Sequence, residues 1–319
     1  MTGAPDSGED SRRLFAKALA WLADGHGVAL ATVVTTWGSA PRRAGSHLII
    51  RDDAVFQGSV SGGCVEGDVI VAAQDALQEG RAILCAYGVS DDVAWRVGLA
   101  CGGKISVLIQ PVSDAFIAPA LLQSVLDANA QGQNIWTTTD LRSYQTVLHK
   151  DAPQAADGIF IRAYAPPLRL AIIGAVHIAQ HLAPLAQQLG MDVRIIDPRG
   201  LFASDLRFDP ALIDARWPDE ALADFKPDGA SAIVALTHDP KLDDVALAAA
   251  LRSEAFYIAA LGSRKNHALR VARLAALGFS ETDTQRIYGP AGLAIGAATP
   301  AEIAVSILAQ LIENWRARP

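Results

Sequence analysis

Two cysteines stand beside paired glycines, in Gly62-Gly63-Cys64 and Cys101-Gly102-Gly103. Adjacent glycines let the backbone take conformations and close approaches that a Cβ forbids. A cysteine packed only as a small hydrophobe needs no such neighbours. The stretch Gly58-Ser59-Val60-Ser61-Gly62-Gly63-Cys64-Val65-Glu66 runs from an expected strand into an expected helix, which puts Cys64 at a helix N-terminus. Unpaired N–H groups and the helix dipole there favour an anion and favour thiolate over thiol, so Cys64 is expected to act as a soft ligand or nucleophile. Glu66 falls in the first helical turn, as a partner for that dipole. A third turn, Gly38-Ser39-Ala40-Pro41-Arg42-Arg43-Ala44-Gly45, offers the Ser39 hydroxyl and the guanidinium groups of Arg42 and Arg43, a set that suits a phosphate. Cys85, inside the apolar run Ile83-Leu84-Cys85-Ala86-Tyr87, reads as a core residue.

A second group of candidates lies in the C-terminal half. Gly174-Ala175-Val176-His177 follows an apolar strand and opens a helix, and Asp197 ends the next strand, the spacing of a dinucleotide fold. Asp197 is placed to accept from a ribose hydroxyl. Val176 occupies the middle position, where glycine normally lets a pyrophosphate reach the backbone. Thr237-His238-Asp239 and Gly262-Ser263-Arg264 follow later strands, where open parallel sheets place ligands. Ser263 is expected to cap a helix and Arg264 to meet an anion. His177 and His181 are four apart on one helix, but the pattern lacks the glutamate of H-E-x-x-H, so a zinc pair is not favoured.

The elements that must position these residues follow from periodicity. Residues 11–24 place Leu14, Phe15, Ala18, Leu19 and Leu22 on one helical face. Strands are expected at 28–34 and in 47–60, the latter folded into a hairpin by Asp52-Asp53; a helix runs from Val65 to about Glu79, and two strands follow. A weaker helix over 115–130 and three further strands lead to Pro166-Pro167. From Leu168 strands and helices alternate regularly, which specifies a parallel doubly wound sheet. In Thr299-Pro300-Ala301-Glu302 the types fit N-cap, N1 and N3 of a final helix. The expected fold class is α/β: a mixed α/β domain over 11–165, then a Rossmann-like domain over 168–319.

The net charge of −7 disfavours nucleic acid and anionic membrane as partners. The N-terminus has neither the basic start nor the apolar run of a targeting peptide, and three cysteines without zinc spacing suggest reduced thiols, so a soluble cytoplasmic protein is expected.

Taken together, GSAPRRAGSHLI, GSVSGGCVEGDV, VGLACGGKISV, IIGAVHIAQHLAPLA, DPRG, ALTHDPKLDD, ALGSRKNH and GLAIGAATPAEIAVSILA, in this order, resemble the XdhC/CoxI family of xanthine dehydrogenase accessory proteins. The resemblance covers nearly the whole chain. It implies a usually dimeric protein that binds molybdenum cofactor, holds it while its terminal sulfido ligand is installed, and delivers it to a xanthine dehydrogenase-type apoenzyme. A cysteine desulfurase-like sulfur donor would be a second partner. Cys64 and Cys101 match the family's cysteine positions and are the candidate molybdenum contacts. Gly62, Gly63, Glu66, Gly102 and Gly103 surround them, with Ser39 and Arg42 nearby in the pattern. In the second half the candidates are Gly174, His177, Asp197, Arg199, His238, Gly262, Ser263 and Arg264. Val176 and Ala294 depart from the commoner pattern, where glycine and aspartate are expected, and bear on whether NAD(P) or another nucleotide binds there. Two other readings stay open: an NAD(P)-dependent oxidoreductase, and a sulfur transferase acting through Cys64.

Overall fold

Residues 28–33 show how the N-terminal half is built. In Val28-Ala29-Leu30-Ala31-Thr32-Val33, alternate side chains enter two different cores: Val28 and Leu30 pack with one set of helices, Ala29, Ala31 and Val33 with another. A strand buried on both faces needs apolar residues at both phases of its two-residue period. The computed structural model describes residues 9–40, 42–88, 103–204 and 206–318.

The elements of this half are α1 (Glu9–Ala23), β1 (Val28–Trp37), β2 (His47–Arg51), β3 (Phe56–Gly58), α2 (Glu66–Glu79), β4 (Ile83–Tyr87), β5 (Lys104–Pro111), α3 (Pro119–Ala130), β6 (Ile135–Asp140), β7 (Thr146–His149) and β8 (Ile159–Tyr164). The first five strands form an antiparallel sheet in the order β3-β2-β1-β5-β4. Helix α2 covers one face through Val69, Ala73 and Ala76. Helices α1 and α3 cover the other through Phe15, Trp21, Leu122 and Val125. A smaller antiparallel sheet, β7-β6-β8, joins this second side. Its link is polar: His47 bridges the Thr32 hydroxyl (2.9 Å from Nδ1) and the Tyr164 hydroxyl (3.1 Å from Nε2). Burial, with the charges of Arg162 and Arg42, holds the His47 pKa well below its ordinary value.

The direction of each strand decides where the glycine loops lie. Strands β1, β3 and β4 run one way, β2 and β5 the other, and α2 returns between β3 and β4. The ends of β1, β3 and β4 and the starts of β2, α2 and β5 therefore share one edge of the sheet. Residues 38–40, 42–46 and 59–65 lie in loops on that edge, and the chain re-enters β5 there at Gly103-Lys104.

The C-terminal half comprises β9 (Arg169–Ile173), α4 (His177–Gln188), β10 (Asp192–Ile196), β11 (Ile213–Asp214), α5 (Pro218–Phe225), β12 (Ser231–Ala235), α6 (Pro240–Leu251), β13 (Tyr257–Ala260), α7 (Arg264–Ala276), α8 (Glu281–Thr284), β14 (Ile287–Tyr288) and α9 (Pro300–Arg316). All six strands are parallel, in the order β11-β10-β9-β12-β13-β14. From β9 the chain crosses first to β10 and later to β12, so the order reverses between β9 and β12, where such sheets form a crevice. Helices α4 and α9 cover one face, and α5, α6 and α7 the other. The capping box of Thr299 and Glu302 forms as expected, with Pro300 at N1. Contacts divide the described chain into two compact units between Pro166 and Pro167.

Candidate functional site

The loop before α2 is organised by one side chain. Glu66 Oε1 accepts hydrogen bonds from the Ser59 hydroxyl (2.7 Å) and from the amides of Val60 (3.2 Å), Ser61 (2.9 Å) and Gly62 (3.1 Å). Its Oε2 accepts from the Gly63 amide at 2.8 Å and from the Ser61 hydroxyl. The Ser61 Oγ in turn accepts from the amides of Cys64 and Val65, both at 2.9 Å. Burial pushes the Glu66 carboxyl up, but the bonds from Ser61, Ser59 and the loop amides outweigh it and bring its pKa down to about 2. Gly62 and Gly63 take φ of 78° and 112°, which lets the loop curl round the carboxylate.

This corrects two expectations. Glu66 is more than a dipole partner in the first turn; it is the internal anion of the loop. The amides of residues 60–65, which the sequence offered to a phosphate or a thiolate, are already taken by Glu66 and Ser61. What the loop presents outward is the exposed Cys64 side chain. Cys85 packs beside the α2 core and is half-buried.

The neighbouring loops meet closely. A Cβ on Gly103 would come within 3.1 Å of both the Ala40 amide nitrogen and the Trp37 carbonyl oxygen, so the start of β5 lies tightly against the backbone of residues 37–40. Ser39 on that loop is exposed, and Arg42 lies near enough to His47 to depress its pKa. Gly45 (φ 91°) lies against the Arg162 guanidinium, 2.7 Å from where its Cβ would be. Ser39, Arg42, Gly62, Gly63, Cys64, Glu66 and Gly103 thus share one edge of one sheet. Cys101 and Gly102 lie outside the described residues.

In the C-terminal unit the candidates also gather at one edge, beyond the carboxyl ends of the strands. Gly174 (φ 107°) faces Thr237, whose Cγ2 lies 2.5 Å from the position a Cβ would take. A Cβ on Gly262 would lie 3.9 Å from His238 Nδ1, and Ser263 caps α7 by accepting from the Asn266 amide at 3.2 Å. His177 and His181 have ring centroids 5.3 Å apart. Among the described residues no group of three or more His, Cys, Asp or Glu side chains could hold a metal.

Asp197 requires a correction. It is fully buried, accepts from the Ala175 amide at 2.8 Å, and forms a two-pronged pair with Arg199: Nε–H to Oδ1 at 2.8 Å and Nη2–H to Oδ2 at 2.7 Å. Burial raises its carboxyl, and the Arg199 and Ala175 bonds more than offset that, so its pKa is lowered. Its oxygens hold protein donors rather than awaiting a ribose hydroxyl. The spacing could have shown this, because Asp214-Ala215-Arg216 repeats the same D-x-R pairing at 2.9 and 2.6 Å.

Sequence reasoning also missed a buried ion pair under the crevice. Asp243 accepts from the Thr237 hydroxyl (2.6 Å), the His238 amide (3.1 Å) and Arg270 Nη2 (3.4 Å). It locks the Thr237-His238 turn, in which His238 has φ 62°. Helical periodicity gives no sign of this, since the pair joins two helices that only the packed fold brings together.

An α/β unit with an exposed thiol among glycine loops, followed by a Rossmann unit, is the class of protein that fold and site define. Family models narrow it: residues 21–88 match the XdhC and CoxI family, and residues 170–311 match the XdhC Rossmann domain. The chain is 30% identical to the molybdenum cofactor insertion chaperone PaoD of Escherichia coli, over 95% of this chain and 88% of that one. It is also 30% identical to a probable subunit of xanthine dehydrogenase from Bacillus subtilis, over 92% of this chain and 95% of that one. A crystal structure named as a xanthine dehydrogenase from Bacillus halodurans superposes with a TM-score of 0.82 at 27% identity, covering 97% of each chain. The protein belongs to the XdhC/CoxI family. Among the described residues no helix is long and apolar enough to cross a membrane.

Proposed function

We propose that this chain is an insertion chaperone for molybdenum cofactor. It holds the cofactor while the terminal sulfido ligand is installed and then passes it to a xanthine dehydrogenase-type apoenzyme. The observation that carries this reading is the near full-length similarity to PaoD, an insertion chaperone, in a chain whose first unit presents an exposed thiol on a loop hydrogen-bonded to Glu66. The chemistry agrees with the cargo. A soft molybdenum–sulfur centre suits the sulfur of Cys64, with Cys101 as the second contact. The cofactor's phosphate suits the turn carrying Ser39 and Arg42. A cysteine desulfurase-like donor and a second copy of this chain are the further partners of the scheme, and the cytoplasm is where cofactor and client meet.

A nicotinamide dinucleotide finds no support at Asp197, whose oxygens are engaged by Arg199 and Ala175. The exposure of Cys64 does favour a second reading, in which this thiol itself carries sulfur. A persulfide on Cys64 in protein never exposed to pterin would support that version. The main test loads the purified chain with molybdenum cofactor, removes the free cofactor, and adds an apo-hydroxylase. Retention followed by activation is expected; neither retention nor activation would end the chaperone reading.

A further inference from the structure

The amides of residues 60–65 are taken by Glu66 and Ser61 and are not free to recognise the polar ring system of a cofactor, which points to other groups on the same edge. One feature there combines a groove with an exposed aromatic ring. A groove of about 570 Å³ lies across the ends of β1, β4 and β5, lined by Thr35, Trp37, Tyr87, Lys104 and Ser106. That volume is within the range of small-molecule sites.

Trp37 is 68% exposed, an unusual position for so large an apolar ring. Its orientation is specified by the sheet. Between β1 and β5 the register slips: Val33 is opposite Val107, yet Thr35 is opposite Ser106, so Val34 is an extra residue in β1. The slip makes Trp37 the cross-strand partner of Lys104, whereas unbroken pairing would place Thr36 there. The Lys104 ammonium stands 5.8 Å from the Trp37 ring centre, in cation–π range. Hydroxyls of Thr35 and Ser106 line the same groove, and Gly103 ties its rim to the loop carrying Ser39.

We infer that this groove is the pterin subsite: Trp37 stacks on the planar heteroaromatic ring of the cargo while Lys104 supplies a cation to its electronegative edge. The inference rests on the chaperone reading and adds to it the residues that grip the organic part of the cofactor. The bulge at Val34 then has a function, which is to turn an indole out of the sheet beside the loop that carries Ser39.

The test uses the full chain and molybdenum cofactor released from a holo-hydroxylase. Cofactor retention is measured by ultrafiltration, and indole emission is followed during titration. Trp37→Ala is expected to weaken retention by roughly tenfold or more, from the loss of one stacked ring. Trp37→Phe should keep most of the affinity while losing the quenching step that the wild type shows, and Lys104→Glu should weaken retention with unchanged circular dichroism. In the free protein, acrylamide should quench the Trp37 emission, taken as the difference between wild type and Trp37→Phe. Wild-type retention in Trp37→Ala, or a Trp37 already shielded from acrylamide, would overturn the subsite and leave the chaperone reading standing. Failure of the wild type to retain cofactor at all would bring down both.

Discussion

Glu66 holds Gly63 by accepting its amide at 2.8 Å, and the same carboxylate takes three more amides and two hydroxyls of the preceding loop. The thiol next to Gly63 is therefore displayed on a turn whose shape is set from inside. Glu66→Ala removes the acceptor for six donors, three of them on fully buried Val60 and Ser61: two amides, and a hydroxyl that can rotate to another acceptor. Each donor left unmet in the interior costs about 1–3 kcal/mol, while water can reach Gly62 and Gly63. The expected loss is about 2–4 kcal/mol, with Glu66→Gln between it and the wild type. Urea unfolding measures it; unchanged midpoints for both variants would mean that the loop is held by something else.

The same carboxylate predicts an acid dependence. With a folded pKa of about 2 against an ordinary value of 4.5, Glu66 binds its proton more readily unfolded than folded. Its contribution is fully present above the unfolded value and is lost as pH falls from about 4.5 towards 2. His47 adds a loss that begins higher, because its folded pKa lies well below 6.5 and the unfolded chain takes up that proton first. Stability should fall on acidification in both windows. Between pH 4.5 and 3 the fall should be shallower in Glu66→Gln than in the wild type, as followed by urea midpoints across pH. Parallel curves would show that Glu66 has an ordinary pKa.

The contrast between Glu66 and Thr299 shows what was legible from sequence and what was not. The Thr299-to-Glu302 box is a local pattern, three residues apart, and it forms as read. The strands and helices around the site were legible for the same reason: β1 alternates between two cores, and the β2–β3 hairpin turns at Asp52-Asp53. Glu66 also bonds locally, but backwards along a loop whose curvature depends on two glycines at positive φ, and periodicity carries no information about that. Asp197 satisfied a fold-level spacing, while a residue two positions on captured it. The pairing of Trp37 with Lys104 depends on a one-residue slip that only strand register reveals. The Asp243–Arg270 pair joins two helices and needs the packed fold to exist at all.

Gly174 makes a prediction for the second unit. A Cβ there would sit 2.5 Å from Thr237 Cγ2, and φ of 107° is unfavourable for any side chain. Gly174→Ala should destabilise the chain by about 2–4 kcal/mol, the sum of a strained backbone and an overpacked contact. Thr237→Ser removes the opposing methyl and keeps the hydroxyl that donates to Asp243. In the double variant the steric part should be regained and the backbone part should remain, a coupling that a double-mutant cycle in urea resolves. Strict additivity of the two changes would show that Gly174 and Thr237 are not in contact.

Cys64 and Cys85 allow the role of the exposed thiol to be separated from general damage to the fold. Cys64 is exposed on a loop held by Glu66 and Ser61, so Cys64→Ser should leave the unfolding midpoint within about 0.5 kcal/mol of the wild type. Cys85 is half-buried against the α2 core with the Tyr87 side chain as a hydrogen-bonding neighbour, and Cys85→Ser puts a smaller, more polar group among the remaining apolar contacts, costing about 1 kcal/mol. If Cys64 is a soft contact for the cargo, the order reverses in the transfer assay. Cys64→Ser should then lower cofactor retention and activation of an apo-hydroxylase by tenfold or more, while Cys85→Ser, assayed well below its unfolding midpoint, should transfer normally. Normal transfer by Cys64→Ser would remove this thiol from the scheme and leave the cofactor to be held by the other groups of the edge.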